Sequence, residues 1–135
     1  MKNNFINEII ERGFFHQCTD QDKLIDLINN NSIRAYIGFD CTAPSLHVGS
    51  LLQIMCLRLL QKYGHQPIVL LGGGTTLIGD PSGKDATRKI LEEKMIDENI
   101  VKIKKIFEKL LNFKDKKTMP IFVNNAEWLN KLQYI

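Results

Sequence analysis

The segment YIGFDCTAPSLHVGS, residues 36–50, decides the fold that the rest of the sequence has to fit. A short apolar run ends at Asp40, a Thr-Ala-Pro-Ser turn follows, and His47 stands before a long apolar segment. This order predicts a strand over residues 35–40, a loop, and a helix that begins at Val48. Because a helix N-terminus attracts anions, His47, Gly49 and Ser50 are candidates for contact with a phosphate group. On these residues alone, a capped helix that happens to begin with a histidine is the favoured alternative.

The alternation of strands and helices continues on the C-terminal side. Residues 68–71 and 119–123 are predicted as strands with a long helix over residues 92–111 between them, and another helix is expected from Glu127. The run at 68–71 lacks polar alternation, which is typical of a parallel strand covered on both faces. The pattern predicts an α/β fold, the first half of a Rossmann-like doubly wound parallel sheet that binds its ligand beyond the carboxyl ends of the strands.

Two helices are predicted before the first strand. Residues 3–14 have apolar side chains at helical spacing, and Thr19 or Asp20 can cap a second helix that ends at the asparagines 29–31. Residues 1–34 are therefore expected to form an N-terminal helical segment.

Composition narrows the class of protein. The chain has 135 residues, of which 44% are hydrophobic and 24% charged, and its net charge is +3. These values are typical of one globular domain and permit a polyanionic partner without arguing for one. The three cysteines, Cys18, Cys41 and Cys56, have no CxxC spacing, so neither a disulfide framework nor a metal site is expected. With no signal peptide and no apolar run of membrane-spanning length, we expect a cytoplasmic protein that does not bind membranes.

Two motifs are discarded or left open. GGGTTLIGDPSGK, residues 72–84, has neither the Gly-Lys-Ser/Thr ending of a P-loop nor the GxGxxG spacing of a dinucleotide site. Asp80-Pro81 within it is equally well explained as a turn. The lysines between residues 102 and 117 could contact RNA phosphates, although a solvated helix face is the favoured explanation.

Residues 36–50, followed by GHQPIVLLGGGTTLIGDPSGK at residues 64–84, resemble the N-terminal part of bacterial tyrosyl-tRNA synthetases, which are class I aminoacyl-tRNA synthetases. The resemblance extends from about Phe5 to the last residue and is strongest between Tyr36 and Arg88. It implies a Rossmann-like sheet of the HUP type, with residues 35–135 forming part of a catalytic domain. No KMSKS-like stretch follows, so the chain is expected to be an N-terminal fragment that is inactive alone.

The resemblance also implies a reaction and its partners. L-tyrosine would be activated by ATP with Mg²⁺ and then transferred to tRNA(Tyr), and the full-length enzyme would be a homodimer. Two other interpretations stay open. One is a non-catalytic truncated remnant or partner-dependent fragment, and the other is a different nucleotidyl transferase with a HIGH-type motif.

Three groups of site residues follow from the resemblance. The catalytic group contains Thr42, His47, Ser50, Lys84 and Arg88, of which the last two match a loop that closes over pyrophosphate. The tyrosine-binding group contains Tyr36, Asp80 and Asn125. The adenylate-binding group contains Gly38, Asp40, His47, Gly49 and Ser50. The HIGH-type motif region consists of Cys41, Thr42, Ala43, Pro44, Ser45, Leu46, His47, Val48, Gly49 and Ser50. Ser50 replaces the second histidine of the class signature.

Overall fold

A computed structural model of the chain describes residues 4–78 and 93–132, and it confirms the predicted fold class. The described strands form a parallel sheet in the order β1-β2-β3, with helices between them. The elements are α1 Phe5–Glu11, α2 Gln21–Asn30, β1 Arg34–Phe39, α3 Val48–Lys62, β2 Gln66–Leu71, α4 Gly73–Ile78, α5 Glu93–Leu110, β3 Ile121–Asn124 and α6 Ala126–Leu129.

The hydrophobic core lies between one face of the sheet and the helices α3 and α5. Phe39, Val69 and Leu71 supply buried side chains from the strands. The ring of Phe107 on α5 packs edge-on against that of Phe39, with centroids 4.9 Å apart. Further buried members of the core are Ile54 and Leu57 on α3 and Ile96, Ile100 and Ile103 on α5.

The opposite face of the sheet is less covered than the sequence predicts. Along β2, Pro67, Val69 and Leu71 are buried, but Ile68 and Leu70 between them are only half-buried. The expectation that this strand is covered on both faces therefore holds for one face only. The physical reason is that α3 and α5 contribute their buried residues to the same face.

The helix α3 is also less buried than its nearly continuous apolar sequence indicates. Its exposed apolar residues form a stripe, Val48, Leu51 and Leu52, whose exposed fractions are 84%, 44% and 57%. We call these three residues the α3 outer stripe. They lie at positions i, i+3 and i+4, so they share one side of the helix, and the described elements pack only against its other side.

Helix boundaries follow local signals, with two exceptions. Asp20 caps α2 by accepting a hydrogen bond from the Lys23 N–H (3.0 Å), and Gly64 follows α3 with a φ of +85°. The short helix α4 was not predicted, because the three glycines at its start were interpreted only as the end of β2. The helix α6 begins at Ala126 and already ends at Leu129, so it is shorter than expected.

A cluster of ionic contacts ties α1 to α3. The Glu8 carboxylate contacts the Lys62 ammonium (2.6 Å) and the Arg12 guanidinium (2.7 Å), and it accepts a hydrogen bond from the Tyr63 hydroxyl (2.5 Å). The hydrogen bonds from Lys62, Tyr63 and Arg12 lower the Glu8 pKa to about 2.

The division of the chain into an N-terminal helical segment, residues 1–34, and part of a catalytic domain, residues 35–135, stays a prediction.

The amide of Gln61 organises the end of the sheet far from the strand carboxyl ends. Its Nε2 donates to the carbonyls of Asn112 (2.5 Å) and Thr118 (2.8 Å), and its Oε1 accepts from the Asn112 N–H (2.9 Å). All the hydrogen-bonding groups of the buried Gln61 amide are thus engaged, and they fix the segment between α5 and β3.

Within residues 4–78 and 93–132, no helix has the length and apolarity of a membrane-spanning segment.

Candidate functional site

Main-chain hydrogen bonds hold the carboxyl ends of the three strands together. The Gly72 N–H donates to the Phe39 carbonyl (2.9 Å), and the Asn125 N–H donates to the Leu71 carbonyl (3.0 Å). The segments that follow β1, β2 and β3 therefore start from one edge of the sheet. Parallel α/β sheets bind their ligands at this edge, so it is the candidate site.

His47 is the N-cap of α3 and an exposed residue of this edge. Its backbone is extended (φ −78°, ψ 167°), and its Nδ1 accepts a hydrogen bond from the Gly49 N–H at 3.0 Å. A ring nitrogen that accepts a hydrogen bond carries no proton, so the neutral ring has its proton on Nε2. The Nε2–H is therefore the donor that His47 offers to a ligand at the helix N-terminus.

The ring of His47 also explains the glycine at position 49. A Cβ on residue 49 would lie 2.8 Å from Cε1 and 2.9 Å from Nδ1 of His47. The space that a side chain at residue 49 would need is thus taken by the histidine ring. The cap bond and the glycine thus belong to one local arrangement.

Ser50 lies in a different environment from His47. It is buried, with 5% of its surface exposed, whereas the neighbouring Val48 is 84% exposed. A small side chain fits this inward position in the first turn of α3. The part of Ser50 in phosphate binding stays a prediction.

Cys41 anchors the loop between β1 and α3. Its N–H donates to Thr76 Oγ1 (3.1 Å), and its carbonyl accepts from Asn99 Nδ2 (3.0 Å). Its side chain is fully buried, and burial raises the pKa of the thiol to about 11. The thiol is therefore protonated at neutral pH and is no nucleophile, while Asp40 and Thr42 on either side are exposed.

Tyr36 and Gly38 lie on the face of β1 that turns away from the core. Tyr36 is 68% exposed and pairs in register with Ile68, and Gly38 pairs with Leu70. Among the described residues, no atom lies within 4 Å of where a Gly38 Cβ would be, so the space above this glycine is open. The predicted tyrosine-binding and adenylate-binding residues of β1 therefore share one accessible surface.

The three glycines after β2 allow close packing of the α4 turn. A Cβ at Gly72 would lie 3.2 Å from the Phe39 carbonyl oxygen, and one at Gly74 would lie 3.1 Å from Ala126 Cα. A Cβ at Gly73 would overlap the amide of Asn124. Glycine is thus needed here because the turn contacts the ends of both neighbouring strands.

Asn125 supports the same turn from β3. Its Oδ1 accepts from the Gly74 N–H (2.8 Å), and its Nδ2 donates to Thr75 Oγ1 (3.1 Å). The residue is buried, and both ends of its amide are engaged in this way. The predicted contact of Asn125 with tyrosine stays a prediction.

Three predicted site residues, Asp80, Lys84 and Arg88, lie outside the described residues. Among the residues that the structure describes, no group of three or more His, Cys, Asp or Glu side chains is placed to hold a metal ion.

Sequence reasoning missed two residues of the site, Thr76 and Asn99. Asn99 falls on the apolar stripe of α5, three residues after Ile96 and one before Ile100, and is only 4% exposed. A polar residue on a buried stripe needs a hydrogen-bonding partner, and this signal was available in the sequence. Thr76 gave no comparable signal, because α4 itself was not predicted.

The chain matches proteins of one family. The family model for tRNA synthetases class I (W and Y) matches residues 28–135. The tyrosine–tRNA ligase of Pelagibacter ubique (strain HTCC1062) is 66% identical over 133 residues, which make up 98% of this chain and 32% of the relative. That of Wolbachia pipientis subsp. Culex pipiens (strain wPip) is 59% identical over 135 residues, or 99% of this chain and 32% of the relative. The chain thus spans about a third of the length of these curated relatives.

Two solved structures resemble the fold. A C-terminally truncated mitochondrial tyrosyl-tRNA synthetase of Aspergillus nidulans aligns with a TM-score of 0.79 and 27% identity, over 96% of this chain and 39% of that chain. The corresponding protein of Coccidioides posadasii aligns with a TM-score of 0.72 and 29% identity, over 96% of this chain and 37% of that chain.

Proposed function

Because this chain belongs to the class I tRNA synthetases (W and Y), we propose that it is the N-terminal part of a tyrosine–tRNA ligase. The relatives at 66% and 59% identity carry that name, which supports tyrosine as the amino acid. The complete enzyme would join L-tyrosine to tRNA(Tyr) in the cytoplasm and act as a homodimer.

The observation that carries the proposed chemistry is the capped N-terminus of α3. The dipole of α3 favours a phosphate at its N-terminus, and the cap bond, which engages the Gly49 N–H, leaves the Nε2–H of His47 available as a donor. This donor would be held in place before the substrate arrives. Such preorganised donors stabilise negative charge that develops in a transition state.

In the first step, a carboxylate oxygen of tyrosine attacks the α-phosphorus of ATP. A bond forms between them, the bond from the α-phosphorus to the bridging oxygen breaks, and pyrophosphate leaves. Thr42 and His47 would donate to the phosphate oxygens, and Lys84 and Arg88 would balance the charge of the pyrophosphate. In the second step, a hydroxyl of the tRNA 3′ end attacks the tyrosyl carbonyl, and AMP leaves.

Tyrosine would be recognised on the accessible face of β1. The Tyr36 hydroxyl would pair with the substrate phenol, and Asp80 would accept from the substrate amino group. Asn125 would act at the same subsite through the α4 turn. A site built to pair a hydroxyl rejects the analogue that lacks it, as tyrosyl synthetases are known to reject phenylalanine.

ATP would bind over Gly38, Asp40 and the start of α3, including Gly49 and Ser50. Among the described residues, no group of side chains is placed to hold a metal ion. Asp40, directly after β1, supplies a carboxylate at this end of the sheet. Mg²⁺ would therefore enter as part of the substrate MgATP, since this ion is commonly held by nucleotide phosphates and water.

The test compares the isolated chain with a fusion in which it replaces the matching third of the Pelagibacter ubique ligase. We expect tyrosine-dependent exchange of pyrophosphate into ATP from the fusion and none from the isolated chain. His47→Ala should lower the exchange rate of the fusion roughly 100-fold. His16→Ala, at an exposed histidine outside the site, is the matched control and should leave the rate unchanged.

Each contrary outcome contradicts a different part of the proposal. Exchange by the isolated chain would show that these 135 residues suffice for tyrosine activation. A fusion that accepts phenylalanine as readily as tyrosine would favour another nucleotidyl transferase. A fusion without any exchange would favour the interpretation as a partner-dependent or non-catalytic fragment. The exposed α3 outer stripe agrees with a partner-dependent fragment.

A further inference from the structure

We propose that Thr76 and Asn99 are positioning residues that hold the backbone of Cys41 from two sides and thereby fix the loop at residues 40–46. Their two hydrogen bonds are called the Cys41 clamp. The clamp itself follows from the fold alone, but its purpose, the presentation of Asp40 and Thr42 to ATP, rests on the proposed function.

The clamp supplies the hydrogen bonds that tie this loop to the rest of the molecule. Among the described residues, the Cys41 N–H donates to Thr76 Oγ1 (3.1 Å) and the Cys41 carbonyl accepts from Asn99 Nδ2 (3.0 Å), and these bonds join residues 40–46 to α4 and α5. Further anchors are the buried Cys41 side chain, whose Sγ lies 3.7 Å from the Phe39 carbonyl oxygen at the end of β1, and the packing of Leu46 on the core. The loop is therefore held at both the N–H and the C=O of one residue, Cys41, which belong to two successive peptide groups.

The two partners come from different elements. Thr76 lies on α4 after β2, and Asn99 lies in the middle of α5, and both are nearly buried, with exposed fractions of 7% and 4%. Their hydrogen bonds are shielded from water, so losing one leaves a main-chain group of the loop unpaired in the interior. The loop would then move until that group finds another partner.

A movement at Cys41 is passed directly to the residues on either side. Cys41 is buried while its neighbours Asp40 and Thr42 are exposed, so a rotation of the Cys41 backbone turns both side chains away from their present directions. Small displacements of groups that orient a reacting phosphate are costly, because about 1 Å can reduce a rate roughly 100-fold. Tyrosine binding through Tyr36 on β1 would not share this dependence.

Alkylation of Cys41 measures the clamp without reference to activity. Iodoacetamide labelling of the isolated chain, followed peptide by peptide with mass spectrometry, separates Cys41 from Cys18 and Cys56. We expect Thr76→Val and Asn99→Leu, which keep the side-chain size but remove the hydrogen bond, to speed the labelling of Cys41 about 10-fold. Thr76→Ser keeps the hydroxyl and should label like the unsubstituted chain.

The matched control is Gln61→Met. It also removes a buried, fully hydrogen-bonded amide, but at the opposite end of the sheet. It should lower the melting temperature without speeding the labelling of Cys41. Labelling that is unchanged in Thr76→Val and Asn99→Leu, or equally fast in Gln61→Met, would overturn the clamp. If Asn99→Leu does not fold, the comparison of the Cys41 labelling rates of Thr76→Val and Thr76→Ser decides whether the clamp exists.

The catalytic purpose is tested in the fusion with the Pelagibacter ubique ligase. We expect Thr76→Val and Asn99→Leu to lower kcat for pyrophosphate exchange about 10-fold and to leave KM for tyrosine unchanged. Gln61→Met should not change kcat, and Thr76→Ser should restore it. Faster Cys41 labelling with an unchanged kcat would overturn the positioning role. An unsubstituted fusion without exchange would instead overturn the proposed function, while the labelling still decides the clamp.

Discussion

Position 49 favours glycine because of His47, the residue two positions earlier. The His47 ring occupies the space that a Cβ on residue 49 would need, and its Nδ1 accepts from the Gly49 N–H. One residue thus sets both the orientation of the histidine and the nitrogen that carries its proton. The motif spacing His-x-Gly is explained here by local sterics, before any ligand is considered.

Gly49→Ala should displace the His47 ring with little effect on stability. Alanine is preferred over glycine inside a helix by about 1 kcal/mol, and loss of an N-cap bond costs about 1 kcal/mol. The two effects oppose each other, so the free energy of unfolding should change by less than about 1 kcal/mol. The ring should lose its fixed Nε2–H form, which ¹⁵N NMR of the imidazole nitrogens detects.

Gly38→Ala is the control for this measurement. Its Cβ would meet no described atom within 4 Å, so the His47 signals should remain those of the unsubstituted chain. An unchanged His47 ¹⁵N spectrum in Gly49→Ala would contradict the steric explanation of the glycine.

At the scale of elements, sequence patterns predicted the strands and long helices because each has a strong periodicity and a clear boundary. Gly64 ends α3 and Asp20 begins α2 as expected. The pattern could not predict α4, since a helix that begins with two glycines has weak propensity and forms because it packs between the ends of β1 and β3. Tertiary contact decides this element, and the local sequence does not contain that information.

The candidate site was predictable to the same degree. Asp40 and His47 follow from a strand, a loop and a helix that are adjacent in the chain, whereas Tyr36 was assigned through the family resemblance. Thr76 and Asn99 reach the loop from 35 and 58 residues away, and only the three-dimensional fold shows that both contact Cys41. Residues that position a site across such separations leave at most an indirect signal in the sequence, such as a polar side chain on an apolar stripe.

The attachment of α1 to α3 should depend on pH through Glu8. Its pKa is lowered to about 2 from 4.5, so the folded chain binds fewer protons than the unfolded chain between these values. The stabilisation is therefore complete above pH 4.5 and is lost as the pH falls towards 2. Glu8→Gln should flatten the decrease of stability in this window, as measured by urea unfolding at a series of pH values.

The titration of His65 also changes the stability with pH, at higher pH values than Glu8 does. Burial lowers its pKa below 6.5, so protonation of the unfolded chain already reduces stability as the pH falls below 6.5. From pH 7 to pH 5 the free energy of unfolding of Glu8→Gln should therefore lie below that of the unsubstituted chain by a constant amount, and this difference should shrink only below pH 5. A difference that changes with pH above pH 5 would contradict the assignment to Glu8.

At the scale of the whole molecule, the described residues leave apolar surface uncovered. The α3 outer stripe is exposed, β2 has a half-buried second face, and β1 pairs with a strand on one side only. Exposed apolar patches and open strand edges favour association. Such surfaces agree with the proposed status of the chain as part of a longer enzyme.

We expect the isolated chain to self-associate at micromolar concentration, in a way that depends on the α3 outer stripe. Leu52→Glu should shift the mass from light scattering towards 15.5 kDa, the mass of one chain. Leu27→Glu, at a leucine of α2 with a comparable exposed fraction of 47%, is the control and should change the mass less. A single-chain mass for the unsubstituted protein over the whole concentration range would refute this expectation.

The order of the strands in the sheet has a consequence for synthesis. The strands β1, β2 and β3 pair in the order in which they occur in the chain. Each new strand therefore pairs with the strand that was synthesised directly before it. Chains emerge from the ribosome N-terminus first, at about 5–20 residues per second, and loops of this size close far faster. Each new strand therefore meets an edge that already exists, and the sheet grows in the direction of translation. Among the described strands, the outer edge of β1 is exposed from the start of this process, and the outer edge of β3 is the newest one.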